Sequence, residues 1–475
     1  MRIEEYALIG DRGTAALVGR DGSIDWLCLP HFDSGAVFAA LLGDASNGCW
    51  RIAPACEVRS STRQYRAGTM VLETTHVTAG GAIRVTDFML AFRDPGPHLV
   101  RIVEGIDGEV PVEMLLNARY GYGDLPPWTR QIGDACTMTA VGDALALRCG
   151  VPLSIENHDP RATFSVRAGE RVAFVLSWYP SHHDVPAAID ASAALDATVK
   201  WWSDWAAQIE TPTDYPEIVT RSLIILEALT YAPSGAGVAA VTTSLPEVIG
   251  GSKNWDYRYA WVRDSTYTIS ALLHAGLVDE ARAWRDWVLC ALAGRPENMQ
   301  IMYGISGARR IDEYELPALA GYEGSRPVRI GNAAYQQFQL GVYGETMSAV
   351  YVAHERGVEI DESAWAMLSI LIEHVEAVWD QPDSGIWESR AEPRHYTHSK
   401  VQAWRALDAA VKAIDVFGYC GPRDRWRATA DRIHAEVCAK AFDAERNTFV
   451  QSYGSDALDA ALLMIPLIGF LSADD

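Results

Sequence analysis

Up to about residue 180 the apolar positions fall in short β-rich runs broken by turns that contain glycine. Met70 to Thr78 and Ile83 to Met89 flank Gly80-Gly81. Cys136 to Val141 and Ala144 to Cys149 flank Gly142-Asp143, and Thr163 to Val166 and Val172 to Tyr179 flank Ala168-Gly169. Each arrangement predicts a hairpin, and hairpins repeated at this spacing predict an all-β antiparallel sandwich over residues 1–185. The period then changes. Residues 187–209 predict a helix bearing Trp201, Trp202 and Trp205, within a helical linker over 186–212.

From 213 to 475 the apolar spacing is helical. Ile218, Ser222, Ile225, Leu226 and Leu229 form one stripe, Trp365, Leu368, Ile372, Val375 and Trp379 a second, and Val401, Trp404, Leu407, Val411 and Ile414 a third. About eight helices are expected between 214 and 475, with one long irregular stretch over 295–332. Loops of that length inside a compact domain are usually functional. The run from Ala457 to Leu471 contains Asp459 and Pro466 and is shorter than a bilayer span, so it predicts a buried core helix.

Composition narrows the function. A chain of 475 residues is too long for one core, so two domains are expected. With 40 basic and 62 acidic residues the net charge is −22, which argues against nucleic acid and anionic membranes and suits a neutral small molecule. Sixteen Trp and nineteen Tyr supply the flat faces that sugar sites use, although filling core is their commoner role. The eight Cys include no CxxC pair and no His at ligand spacing, so no disulfide framework, metal or cofactor is expected. Reduced thiols and a start, Met1-Arg2-Ile3-Glu4-Glu5, without an apolar stretch point to the cytoplasm. A homo-oligomer is compatible with all of this.

Three segments carry candidate chemistry. In Asn254 to Ser265, Asp264 follows Arg263, and such a pair can hold adjacent sugar hydroxyls, the carboxylate accepting and the guanidinium donating. Asp264 is equally well suited to cap a helix. The long loop offers Tyr303, Asp312-Glu313-Tyr314-Glu315, Arg326 and Arg329, a set that would also serve as a solvated charge cluster. In Asp383 to Arg390, Glu388 follows Trp387 on a turn between helices. Desolvation there would raise its pKa and suit a general acid, whereas a lone Glu on a turn is more often a surface residue.

Ile3 to Asp11, Asp21 to Pro30 and Phe32-Asp33-Ser34 resemble the trehalase-like N-terminal domain of bacterial members of glycoside hydrolase family 15, the glucoamylase and trehalase family. Tyr259 to Ser265, Gly324 to Asn332 and Gly385-Ile386-Trp387-Glu388 resemble that family's barrel motifs, in the same order. The resemblance covers essentially the whole chain. It implies an all-α (α/α)6 barrel hydrolysing terminal α-glucosidic bonds with inversion, trehalose being favoured and glucoamylase-type glucan ends the alternative. It also implies roles: Glu388 as general acid, Arg263 and Asp264 holding the nonreducing glucose, and Tyr259, Trp261, Tyr303, Arg326, Arg329 and Trp387 lining the pocket. Ser389 stands where fungal glucoamylases carry a second acid, so aglycone contacts are expected to differ. The family's catalytic base is a Glu well beyond the acid, and nothing after Phe449-Val450-Gln451 resembles its segment. The expectation is an incomplete barrel with no residue matching the base, and a noncatalytic homologue is the competing reading. Glu313 and Glu315 would be the first carboxylates to test as a substitute.

Overall fold

A computed structural model describes residues 1–91, 96–210 and 214–475; the expected boundary between linker and barrel, at 212/213, lies outside them. Two compact units are present. The first comprises Met1–Pro233, Val238–Tyr259 and Glu313–Gly331, and the second Ser234–Gly237, Ala260–Asp312 and Asn332–Asp475.

The first unit is built on a 15-stranded sheet. Its strands are β1 (Tyr6–Gly10), β2 (Ala15–Gly19), β3 (Ser23–Cys28), β4 (Ala36–Phe38), β5 (Cys49–Pro54), β6 (Val58–Tyr65), β7 (Leu72–Thr78) and β8 (Gly81–Met89). They continue with β9 (His98–Asn117), β10 (Trp128–Ile132), β11 (Ala135–Ala140), β12 (Asp143–Cys149), β13 (Ser154–Glu156), β14 (Asp159–Arg167) and β15 (Arg171–Pro180). The hairpins expected at Gly80-Gly81 and Gly142-Asp143 are the antiparallel pairs β7–β8 and β11–β12.

The third expected hairpin is corrected. β14 and β15 do not pair with each other; each pairs with β9, β14 along its residues 109–115 and β15 along 98–104. β9 therefore runs through both halves of the sheet, with β8 and β15 beside its first half and β5 and β14 beside its second. Gly108 lies at this crossing with φ 63, and a Cβ there would sit 2.0 Å from the Gly80 carbonyl oxygen, so only glycine fits. One hydrophobic cluster draws Ile9, Val18 and Trp50 from one half and Val85, Leu99 and Leu147 from the other, so the halves pack face to face.

Beyond the short turn α1 (Tyr120–Gly123) the first unit also holds α2 (Ala191–Ala206) and α3 (Pro216–Ala228). Asp190 caps α2 by accepting from the Ser192 and Ala193 amides, and Trp202 and Trp205 are buried. The stripe read on α3 is out of phase: Ile218 is 69% exposed, and the buried face is Leu223, Ile224, Glu227 and Ala228. Apolar residues cover most of this helix, so spacing alone could not choose the face.

The second unit is helical, with α4 (Val262–His274), α5 (Val278–Leu292), α6 (Gly341–Glu355), α7 (Glu362–Val378), α8 (Thr397–Phe417), α9 (Arg423–Lys440) and the one-turn α10 (Met464–Leu467). α4, α6 and α8 lie side by side, and α5, α7 and α9 pack behind them. This explains why α6 is buried nearly all round while α9 is buried on one stripe only. The expected core helix over 457–471 is corrected to a 3-10 turn (Ala460–Leu463) followed by α10. Ile465, Ile468 and Phe470 are buried there, but Leu458, Leu463 and Leu467 are exposed. Among the described residues no helix is long and apolar enough to cross a membrane.

Candidate active site

The site forms where α4 begins. Ala260–Trp261 pairs with Met302–Tyr303, and the Val262 amide donates to the Ile301 carbonyl, which fixes the entry to the helix. The N-cap position belongs to Trp261, without a side-chain cap. Asp264 therefore does not cap α4; it lies in the first turn, where its charge favours the helix dipole, and it binds Arg263 at 2.9 Å. Arg263 Nη1 also donates to the Ile386 carbonyl at 2.9 Å and lies 3.6 Å from Glu388 Oε1. Trp261, 1% exposed, donates from its indole to the same Glu388 oxygen at 2.7 Å.

Glu388 sits on a closely tethered loop. Asp383 accepts from the Leu340 amide, and its backbone pairs in both directions with Arg394. The buried Lys400 ammonium donates to the Trp379 carbonyl at 2.6 Å and to the Gln381 carbonyl. A Cβ on Gly385 (φ 70) would lie 2.7 Å from the Tyr396 ring, so only glycine lets the turn pack there. Glu388 itself has φ 55, a left-handed conformation that costs a non-glycine residue on the order of 1–3 kcal/mol. Burial pushes the Glu388 carboxyl above the usual range, an effect the Arg263 charge and the Trp261 bond partly oppose.

Four of the sequence-derived residues thus converge: Trp261, Arg263, Asp264 and Glu388. Trp387 is 62% exposed, its indole donating to both Asp459 oxygens at 2.9 and 3.0 Å. The indole that meets the Glu388 carboxyl is Trp261, a neighbour in space rather than in sequence. Tyr303 is fully buried with its hydroxyl accepting from the Gln300 amide, so it supports the strand pair instead of offering a face to a ligand. Tyr259, Arg326 and Arg329 belong to the first unit. Tyr259 is buried there, Arg326 is exposed and reaches the Ala320 carbonyl at 3.4 Å, and Arg329 stacks on Trp255 at 4.5 Å. Glu313 and Glu315, at 3.6 and 3.8 Å, are ion-paired with Arg329.

Sequence reasoning missed three polar groups of the helical unit. Glu345, 7% exposed on α6, feels the Arg263 and Asp264 charges, and burial pushes its carboxyl up to about 7. With Tyr267, Ser270 and Gln402 it lines a cavity of about 80 Å³. His398 is held neutral, its pKa lowered to about 4 by burial, and its Nδ1 has no hydrogen-bond partner. Gln337 binds the backbone of the Glu388 loop. A single acid within the mostly apolar run from Gly341 to Ala353 is the signal that marks Glu345. Among the described residues no group of three or more His, Cys, Asp or Glu side chains is arranged to hold a metal ion.

Residues 213–475 match the family described as Glycosyl hydrolases family 15, and residues 1–178 match the family described as Trehalase-like, N-terminal. A trehalase of Mycolicibacterium smegmatis is 35% identical, the alignment covering 100% of this chain and 75% of that one. A trehalase of Thermoplasma volcanium is 34% identical, with 100% and 77% covered. In fold the chain is similar to a bacterial glucoamylase solved with acarbose, with a TM-score of 0.68 and 12% identity, covering 97% of this chain and 71% of that one. Sheet unit, helical unit and family matches together define the class: a glycosidase. Within that class, the chain belongs to glycosyl hydrolases family 15.

Proposed function

We propose that the chain hydrolyses α,α-trehalose with inversion, Glu388 acting as general acid and the Arg263–Asp264 pair holding the hydroxyls of the terminal glucose. The observation that carries this reading is the Glu388 carboxyl, 16% exposed, bonded by Trp261 and facing Arg263. Burial raises its pKa and so favours the protonated form that a general acid needs, and that proton goes to the glycosidic oxygen as the C1–O bond breaks. Inversion further requires water to attack C1 from the opposite face, activated by a second carboxylate about 6.5–9.5 Å from the first, a role that none of the residues described above is assigned. Preference for trehalose is supported by the names of the relatives that match over the full chain. The inner and outer rows of helices support reading the second unit as part of an (α/α)6 barrel. The eight free cysteines suit a reducing, cytoplasmic setting.

The test is glucose release from trehalose and from maltose, with the anomers followed by proton NMR. Inversion of trehalose yields one α- and one β-glucose per molecule. Turnover of trehalose with this ratio, and weaker turnover of maltose, supports the reading. Preference for maltose would replace trehalase by glucoamylase specificity, and absence of glucose from both would overturn hydrolysis by this chain.

A further inference from the structure

Why Glu388 holds a left-handed backbone is not explained by its own turn. Its amide donates to the Gly385 carbonyl at 3.2 Å and the Ser389 amide to the Ser384 carbonyl at 3.1 Å, but these bonds do not engage the carbonyls of Glu388 and Ser389. Both are taken by one side chain. Gln337 Nε2, from the segment just before α6, donates to the Glu388 carbonyl and to the Ser389 carbonyl, each at 3.1 Å. A primary amide has two N–H groups, so this pairing uses its whole donor capacity. The amide's orientation is fixed in turn, because Gln339 Nε2 donates to Gln337 Oε1 at 3.2 Å and so keeps the nitrogen facing the loop.

We infer that Gln337 is a positioning residue for the acid: by clamping two successive peptide carbonyls it holds Glu388 in the conformation that aims its carboxyl at Trp261 and Arg263. The nearest replacements lose the clamp. Glutamate would turn carboxylate oxygens towards two carbonyl oxygens, asparagine is a methylene shorter, and leucine keeps the volume but offers no donor. Arg263 adds a further hold through the Ile386 carbonyl, so side chains hold three carbonyls of this turn. The role rests on the reading of Glu388 as the acid, but its test needs no substrate.

The probe is the Trp261 indole N–H, which bonds the Glu388 carboxyl directly. With the sixteen tryptophans labelled with 15N, the Trp261 signal is assigned by Trp261→Phe, and Glu388→Gln shows how it behaves without a titrating partner. In the wild type the signal should follow the Glu388 titration. In Gln337→Leu it should lose that pH-dependent shift, as in Glu388→Gln, while the other indole signals keep their positions. Gln339→Met, which frees the Gln337 amide to flip, should shift the Trp261 signal in the same direction by less. If Gln337→Leu does not fold, Gln339→Met decides. A folded variant whose Trp261 signal titrates as in the wild type would overturn the proposal, because a merely structural glutamine lowers Tm without touching this resonance. In a turnover assay Gln337→Leu should lower kcat at least tenfold with little change in KM. A chain that releases no glucose refutes the trehalase reading and leaves the indole test intact.

Discussion

Trp261 and Glu388 are 127 residues apart, yet a 2.7 Å hydrogen bond joins indole to carboxyl at the entrance to α4. The bond stabilises the charged carboxylate, against the burial that favours the neutral acid. Trp261→Phe removes this bond and keeps most of the ring's bulk. The Glu388 pKa should then rise further. A general acid works while protonated, so the alkaline limb of the kcat profile should move to higher pH by the same amount. A limb that stays put would mean that another group sets it.

Glu388→Gln should lower kcat on trehalose by at least about a hundredfold, the low end for loss of a general acid. The loss should be smaller on an activated aryl glucoside, whose leaving group needs no proton. Initial rates on the two substrates provide the check.

Asp264→Asn should separate binding from folding. Trp261 holds the cap position, so the fold should lose only the dipole contribution of about 0.3–1 kcal/mol and the charge of the Arg263 pair. Loss of a charged hydrogen bond to substrate is worth about 1.5–3 kcal/mol, and kcat/KM should fall roughly ten- to a hundredfold. Wild-type kcat/KM alongside an unchanged Tm would remove Asp264 from the glucose clamp.

Glu345 makes stability depend on pH. Its folded-state pKa is raised from 4.5 to about 7, so its contribution is full below pH 4.5 and is lost as pH rises through 7. His398 acts in the opposite sense, its pKa lowered from 6.5 to about 4, and loses stability as pH falls through that range. In Glu345→Gln only the first effect disappears. The difference in Tm between variant and wild type should therefore grow from pH 4.5 to 7 and level off above it, which thermal melts across that range will show.

Gly108→Ala should destabilise the sheet unit by more than about 1 kcal/mol, because φ 63 disfavours a side chain and the new methyl meets the Gly80 carbonyl. Urea unfolding followed by circular dichroism gives the value.

Local signals carried much of the fold. Gly80-Gly81 and Gly142-Asp143 close hairpins within a few residues, and the stripe of α7 falls on its buried face, whereas α8 is buried nearly all round. The strands of the third expected hairpin form, but their partner is β9, and nothing near Ala168 in the chain encodes that distant pairing. At the site, Arg263, Asp264 and Glu388 stand in motifs that can be read in order. Gln337 acts through backbone carbonyls fifty-one and fifty-two residues away, and such contacts leave no periodic or compositional trace.

The passage of β9 through both halves of the sheet bears on how the first unit comes apart. One continuous backbone supplies hydrogen-bond partners to β8 and β15 at one end and to β5 and β14 at the other. Neither half can fray without withdrawing a strand from its neighbour, so the two should open as a single cooperative block. Amide protons of β5 and β15, on opposite sides of the crossing, should exchange with the same free energy of opening, and one cleavage within β9 should release both.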